Sequence, residues 1–215
     1  MKHTNTIQRL MGLGMIILCL SGCSLIQSGN QASYEPREGD VVFQALPLDV
    51  DLMAAIEGIT QSHYTHAGAL VRHKGGWQVI EAVGAGVVYT PWEKWKTASR
   101  DGRWAVYRVK SAHRKHLPEF VKQLHPHAGK PYDFKYQITT DKLYCSELVY
   151  QAWKAATNQE MGRLEKLGDL NWKPHQTTIE KYNKGPVALK REIISPVSLS
   201  RAKQLELVYN HGLKR

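Results

Sequence analysis

The stretch Tyr144-Cys145-Ser146-Glu147-Leu148-Val149-Tyr150-Gln151-Ala152-Trp153-Lys154-Ala155-Ala156 carries the clearest helical pattern in the chain. Leu148, Ala152 and Ala156 recur at intervals of four, flanked by Val149 and Trp153, so one face of the helix is apolar. Cys145 opens that helix, after the polar loop Thr139-Thr140-Asp141-Lys142. A thiol at this position meets unpaired backbone N–H groups and the positive end of the helix dipole, and both favour the thiolate. Its spacing from Leu148 and Val149 places it at the core-facing edge, aimed at whatever sheet the helix covers. A nucleophilic cysteine there needs a histidine, and the histidine needs a group to orient it.

Strand geometry selects among the ten histidines. His66-Ala67-Gly68-Ala69-Leu70-Val71 and Trp77 to Val83 read as a hairpin around Lys74-Gly75. A two-residue turn pairs Arg72 with Trp77 and Gly68 with Glu81, which makes His66 and Glu81 diagonal neighbours on one face. A three-residue loop would send Glu81 to the other face. Glu81 sits between Ile80 and Ala82, where an unpartnered carboxylate is costly. Cys145, His66 and Glu81 are therefore the expected catalytic set. His63, three residues before His66, faces the opposite way if both lie on one strand.

The remaining pattern mixes short strands and helices. Asp40 to Gln44, Gly86 to Tyr89, Trp104 to Val109, Glu192 to Ile194 and Leu205 to Tyr209 read as strands, and helical character falls around Leu52 to Ile56. Pro91 fits the start of a short helix through Lys96, and Pro118 opens another that stops by Gly129. This is an α+β order, not alternating βαβ. Trp92 and Trp95 read as packing residues. No Cys and carboxylate cluster completes a metal site with His113/His116 or His125/His127, so neither a metal nor a cofactor is expected.

Five segments in order carry a family resemblance: Gly39-Asp40-Val41-Val42-Phe43, Ser62 to Gly68, Glu81-Ala82, Gly129-Lys130-Pro131-Tyr132-Asp133, and Tyr144 to Val149. Together they resemble the YiiX-like branch of the NlpC-type cysteine peptidases. The resemblance implies a circularly permuted papain-like fold, with a small antiparallel sheet packed against the helix that carries the nucleophile. It also implies that the histidine and its polar partner precede the cysteine, the order in which His66, Glu81 and Cys145 stand. Asp40, Tyr132, Asp133 and Ser146 are the supporting or substrate-proximal candidates, with turn formation an equal reading for Asp40, Tyr132 and Asp133. The backbone N–H of Ser146 or Cys145 is a candidate oxyanion donor.

The N-terminus reads as an export signal. Lys2 and Arg9 precede an uncharged run from Leu10 to Leu20, and Leu20-Ser21-Gly22-Cys23 resembles the lipobox of bacterial lipoproteins. As a helix that run spans only about 16 Å, too short for roughly 30 Å of hydrocarbon. Residues 1–22 are thus expected to be a signal peptide, 23–39 a lipidated tether and 40–215 one hydrolase domain. Acylation of Cys23 with more than one chain would anchor the protein stably. Ser24 resembles the outer-membrane pattern, which puts the domain in the periplasm. Loss of Lys2 and Arg9 lowers the formal charge from +10 to +8. Lysines and arginines are scattered without a recognition motif, so no nucleic-acid partner is expected. Of Cys19, Cys23 and Cys145 only the last remains as a free thiol in the mature domain.

The expected function is an envelope cysteine hydrolase that cleaves an amide, such as a peptidoglycan stem peptide, through a thioester. Two alternatives stand beside it. One is a lipid-directed thiol hydrolase or acyltransferase, favoured if an apolar channel runs from Leu46–Ile56 to Cys145. The other is a non-catalytic binding lipoprotein, favoured if Cys145 is buried with no histidine in reach. The sequence leaves the oligomeric state open.

Overall fold

The computed structural model describes residues 34–48 and 50–214. The expected signal peptide, Cys23 and the tether before Tyr34 lie outside the described residues. In chain order the elements are β1 (Val41–Gln44), α1 (Asp51–Thr60), β2 (His66–His73), β3 (Gly76–Val83), β4 (Gly86–Pro91) and α2 (Trp92–Thr97). They continue with β5 (Trp104–Val109), α3 (Leu117–Leu124), α4 (Cys145–Thr157), β6 (Glu165–Lys166), α5 (Gln176–Asn183), β7 (Glu192–Ile193), α6 (Pro196–Ser200) and β8 (Leu205–His211). Six strands form an antiparallel sheet in the order β4-β3-β2-β1-β5-β8, and β6 pairs with β7 apart from it.

The β2–β3 hairpin has the register that a two-residue turn dictates. Arg72 opposes Trp77 and Gly68 opposes Glu81. Lys74 and Gly75 both adopt left-handed backbone angles, φ 48° and 79°. That is the combination whose twist matches the flanking strands. Gly68 has a separate reason to be glycine. A Cβ there would fall 2.5 Å from Val79 Cγ1 and 3.3 Å from Glu81 Cβ. Its bare backbone leaves room for the Glu81 side chain to cross toward His66.

The sheet divides two cores. On one face Val41, Phe43, Ala67, Ala69, Ile80 and Ala82 pack with Leu148, Val149, Ala152 and Trp153 of α4. On the other, Val42, Leu70 and Val79 pack with Trp92, Trp95 and Trp104. Alternation along β2 and β3 puts His66 and Glu81 on this second face. The apolar stripe of α4 is therefore the first face's cover, as its period requires.

Ordered packing begins before the expected boundary at Asp40. Tyr34 stacks edge-on against Trp92 and Trp104, and its hydroxyl donates to Asp40 Oδ2 at 2.6 Å. Asp40 itself is buried and receives Arg108 through Nε and Nη2, each at 2.7 Å. Of the two readings of Asp40, this geometry favours the supporting one: the carboxylate is consumed in fastening Tyr34 and β5 to the start of β1. Removing one member of such a pair strands a buried charge. Arg108→Met should therefore lower stability by about 3–5 kcal/mol. This would be read as a lower urea midpoint at unchanged slope, with Asp40→Asn added to it recovering much of the loss.

Candidate active site

Cys145 occupies the first turn of α4, where the N–H groups of Cys145, Ser146 and Glu147 have no partner one turn earlier in the helix. The loop before it is fixed from inside. Asp133 accepts from the N–H groups of Lys135 at 2.9 Å and Gln137 at 2.6 Å, and Tyr132 bridges to Leu143. Glu147 reaches back to accept from Thr139 N at 2.7 Å and Tyr144 N at 3.4 Å. Burial pushes its carboxyl up to about 8, against the lowering effect of these N–H groups. The segment 131–144 is thus tied at both ends, and the thiol position is inherited from it.

The pairing of β2 with β3 ends at Gly68 and Glu81. Beyond that point the N–H of Ala67 is directed at the Cys145 sulfur, joined by the N–H of Ser146. The thiol therefore sits where two strands of the sheet separate, approached by α4 from one face and by His66 from the other. His66 Nε2 lies 2.5 Å from Glu81 Oε2, which leaves Nδ1 as the ring nitrogen for the hydrogen bond with Cys145. Thr90 Oγ1 donates to Glu81 Oε1 at 2.5 Å, and Trp95 Nε1 donates to Oε2 at 2.9 Å. The three residues Cys145, His66 and Glu81 are 3%, 4% and 5% exposed, so the chain of contacts is nearly dry.

Burial sets the electrostatics, and the contacts overturn it. Desolvation alone would raise the thiol, yet the hydrogen bond and charge of His66, with the N–H groups of Ala67 and Ser146, hold Cys145 below the ordinary thiol range. Desolvation alone would lower the imidazole, yet Cys145 and Glu81 raise His66 well above its usual range. Glu81, despite its burial, is held low by His66, Thr90 and Trp95. All three directions agree on a thiolate–imidazolium pair backed by a carboxylate.

The structure thus brings Cys145, His66 and Glu81 into one line and places the other candidates around it. Tyr132 and Tyr136 share a hydroxyl contact at 3.0 Å near Cys145, whose charge raises both phenols after burial has done so. The Ser146 hydroxyl is spent on Ile194 O at 2.7 Å, so only its N–H faces the sulfur. Asp133 organises its loop. His63 precedes β2 in a turn, not on the strand, and its Nδ1 sits 3.2 Å from Glu57. Sequence reading missed Thr90 and the polar use of Trp95. For Thr90 a signal was present: it lies diagonal to Glu81 on the neighbouring strand, and a buried carboxylate needs donors on its own face. Among the described residues no group of three or more His, Cys, Asp or Glu side chains is arranged to hold a metal ion.

Comparison with known proteins identifies the family. The family of permuted papain-like amidase enzymes, YaeF/YiiX, C92, matches residues 35–209. The uncharacterized protein YiiX of Escherichia coli K12 is 31% identical over 192 residues, which cover 86% of this chain and 92% of that protein. A crystal structure described as metalloprotein yiiX from Escherichia coli O157:H7 superposes with a TM-score of 0.75 at 30% identity, covering 83% of this chain and 99% of that one. The chain belongs to the permuted papain-like amidase family. It has that family's fold, and it is a cysteine hydrolase.

Trp95→Phe keeps the ring packing but removes one donor from Glu81. Glu81 should then rise, His66 fall and Cys145 rise toward the ordinary thiol value of about 8.5. Wild-type Cys145 should alkylate with iodoacetamide at a lower pH than an ordinary thiol. The variant's profile should move alkaline, since part of a charge-assisted hydrogen bond reaches the thiol through Glu81 and His66. Packing alone would leave the profile unmoved.

Proposed function

We propose that the protein is an envelope-anchored amidase in which Cys145 is the nucleophile, His66 the general base and acid, and Glu81 the group that orients and charges the imidazole. The observation that carries this reading is the continuous contact from Glu81 through His66 to Cys145, with backbone N–H groups at the sulfur. It also weighs against a purely binding lipoprotein, which would need no histidine at a buried thiol.

The thiolate attacks the amide carbonyl, and the developing oxyanion lies toward the first-turn N–H groups of α4. His66 gives its proton to the leaving amine as the C–N bond breaks, and the acyl group remains on Cys145 as a thioester. Water then attacks, with His66 taking its proton and Glu81 stabilising the imidazolium that results. The fixed donors cost no reorganisation at the moment of reaction. The relative titled a metalloprotein raises the question of a metal here. The side chains that line the thiol do not fit one: His66 Nε2 is committed to Glu81, whose carboxylate oxygens also receive Thr90 and Trp95. No step is routed through a metal.

For location, support comes from the sequence: a short uncharged run before Leu20-Ser21-Gly22-Cys23, with Ser24 after it. Lipidated Cys23 would tether the domain to the outer membrane, facing the periplasm, so that amides of the envelope are its substrates. Wall stem peptides fit the compartment and the NlpC resemblance. The apolar lining of the cleft at Cys145 favours an amide with an aliphatic acyl half.

Cys145→Ala should abolish amide turnover while circular dichroism and the urea midpoint stay near wild type. Undiminished product release by that variant would sink the thiol mechanism. Cys23→Ser should move the protein from the membrane fraction to the soluble fraction; retention on washed membranes would refute lipid anchoring.

A further inference from the structure

We propose that Gln44 sets specificity on the leaving side of the site: its side-chain oxygen accepts the N–H of the scissile amide, so the site favours amides that keep a hydrogen on nitrogen over esters. This deepens, and rests on, the thiol-amidase reading. Gln44 closes β1, and its Cα partners are His66 on β2 and Trp104 on β5. Directly opposed residues of an antiparallel pair share a face, with Cβ atoms about 5 Å apart. Glu81, His66, Gln44 and Trp104 therefore form an oblique row across the second face of the sheet. His66 is flanked in it by Glu81 from β3 and by Gln44 from β1.

Gln44 is 2% exposed, and among the described residues its Oε1 has no hydrogen-bond partner. The other buried side-chain atoms in that condition, Arg100 Nε, Arg103 Nε and Trp153 Nε1, are all donors. The donors around the reactive row are committed elsewhere. His66 gives one ring nitrogen to Glu81 and the other to Cys145, and Thr90 Oγ1 and Trp95 Nε1 both donate to Glu81. Buried polar side-chain atoms are normally paired. An acceptor left over beside the general base calls for a donor that arrives with the substrate.

A trans amide brings that donor in the required direction, because its C=O and N–H point opposite ways. With the carbonyl oxygen turned to the first-turn N–H groups of α4, which covers one face of the sheet, the N–H turns toward the other face, where His66 and Gln44 stand. In the reaction the Cys145 sulfur forms a bond to the acyl carbon while the carbon–nitrogen bond breaks, and the imidazolium proton of His66 passes to the nitrogen. The hydrogen that the nitrogen already carried stays on it, held by Gln44, and a neutral amine leaves. An ester presents an oxygen without a hydrogen at the same place, so the Gln44 acceptor stays buried and unpaired. A site built to bond an N–H rejects the analogue that lacks it for this reason.

The test puts one acyl group on two leaving groups: N-acetylleucine as its 4-nitroanilide, which has the N–H, and as its 4-nitrophenyl ester, which has none. Both give the same thioester, so kcat/KM compares the acylation step alone. Gln44→Met keeps the length of the side chain and removes the acceptor. The ratio of anilide to ester kcat/KM should fall at least about fivefold, the share of one neutral hydrogen bond, while the pH profile of Cys145 alkylation by iodoacetamide stays in place. Gln44→Leu gives the same reading should the first variant not fold. A ratio that does not move would overturn the assignment: with a displaced alkylation profile Gln44 is a support for His66, and with the profile in place its oxygen belongs to a buried water. A ratio that falls only together with a displaced profile would overturn it as well. Wild type that cleaves the ester alone would overturn it and leave the thiol mechanism standing. Dye release from neither compound by wild type would overturn the amidase reading and the part of Gln44 in it.

Discussion

The charge on Cys145 depends on one register, that of β2 against β3. Gly68 opposite Glu81 sets His66 and Glu81 diagonally on one face, and a shift by a single residue would turn Glu81 into the α4 core. The register is held by a two-residue turn with both residues left-handed and by the absence of a side chain at Gly68. Everything charged at the site follows from it. A buried carboxylate without partners is worth several kcal/mol against folding. Here His66, Thr90 and Trp95 all contact it, so the same contacts that make Glu81 tolerable also make it an anion. The anion raises the imidazole, and the imidazolium lowers the thiol.

The sheet does a second job as a partition. Its α4 face buries the aliphatic stripe that carries Cys145, and its other face buries the indoles that hold Glu81. Neither face alone contains a reactive set. They meet only where β2 leaves β3, at Ala67, whose N–H turns to the sulfur instead of to a neighbouring strand. The end of a strand pair is where a sheet has backbone donors to spare, and the start of a helix is the other such place. The thiol stands at the junction of the two.

What could be read from the sequence was whatever obeys a period or a turn rule. The α4 stripe, the hairpin register and the diagonal of His66 and Glu81 follow from spacings of four and two. Helix α5 did not show, because Gln176–Asn183 has only Ile179 and Tyr182 to mark a face, and it is held by what it packs on. Trp95 read as packing because its ring is apolar, while the indole N–H that supports Glu81 depends on a partner fourteen residues earlier. Asp40 sits inside a matching motif, yet its carboxylate answers to Arg108, sixty-eight residues away. Tyr34 looked like tether for the same reason: its partners, Trp92, Trp104 and Tyr209, come from strands and a helix far along the chain. Long-range polar partners leave no local pattern.

Helices α1 and α5, which line the cleft at Cys145, are attached differently from the buried residues around the thiol. Helix α1 meets α5 through Lys181 and Asp51 at 3.0 Å, both mostly exposed, and meets the loop before α5 through Asn171 Nδ2 to Gly58 O at 3.1 Å. An exposed pair of this kind contributes about 0–1 kcal/mol. The hairpin and α4, by contrast, share a core whose members are almost wholly buried. The α1–α5 ion pair is thus far weaker than the buried contacts that hold His66 and Glu81. Substitutions on the cleft faces of α1 and α5 should accordingly change the lining at Cys145 and leave the contact of Glu81 with His66 in place behind them.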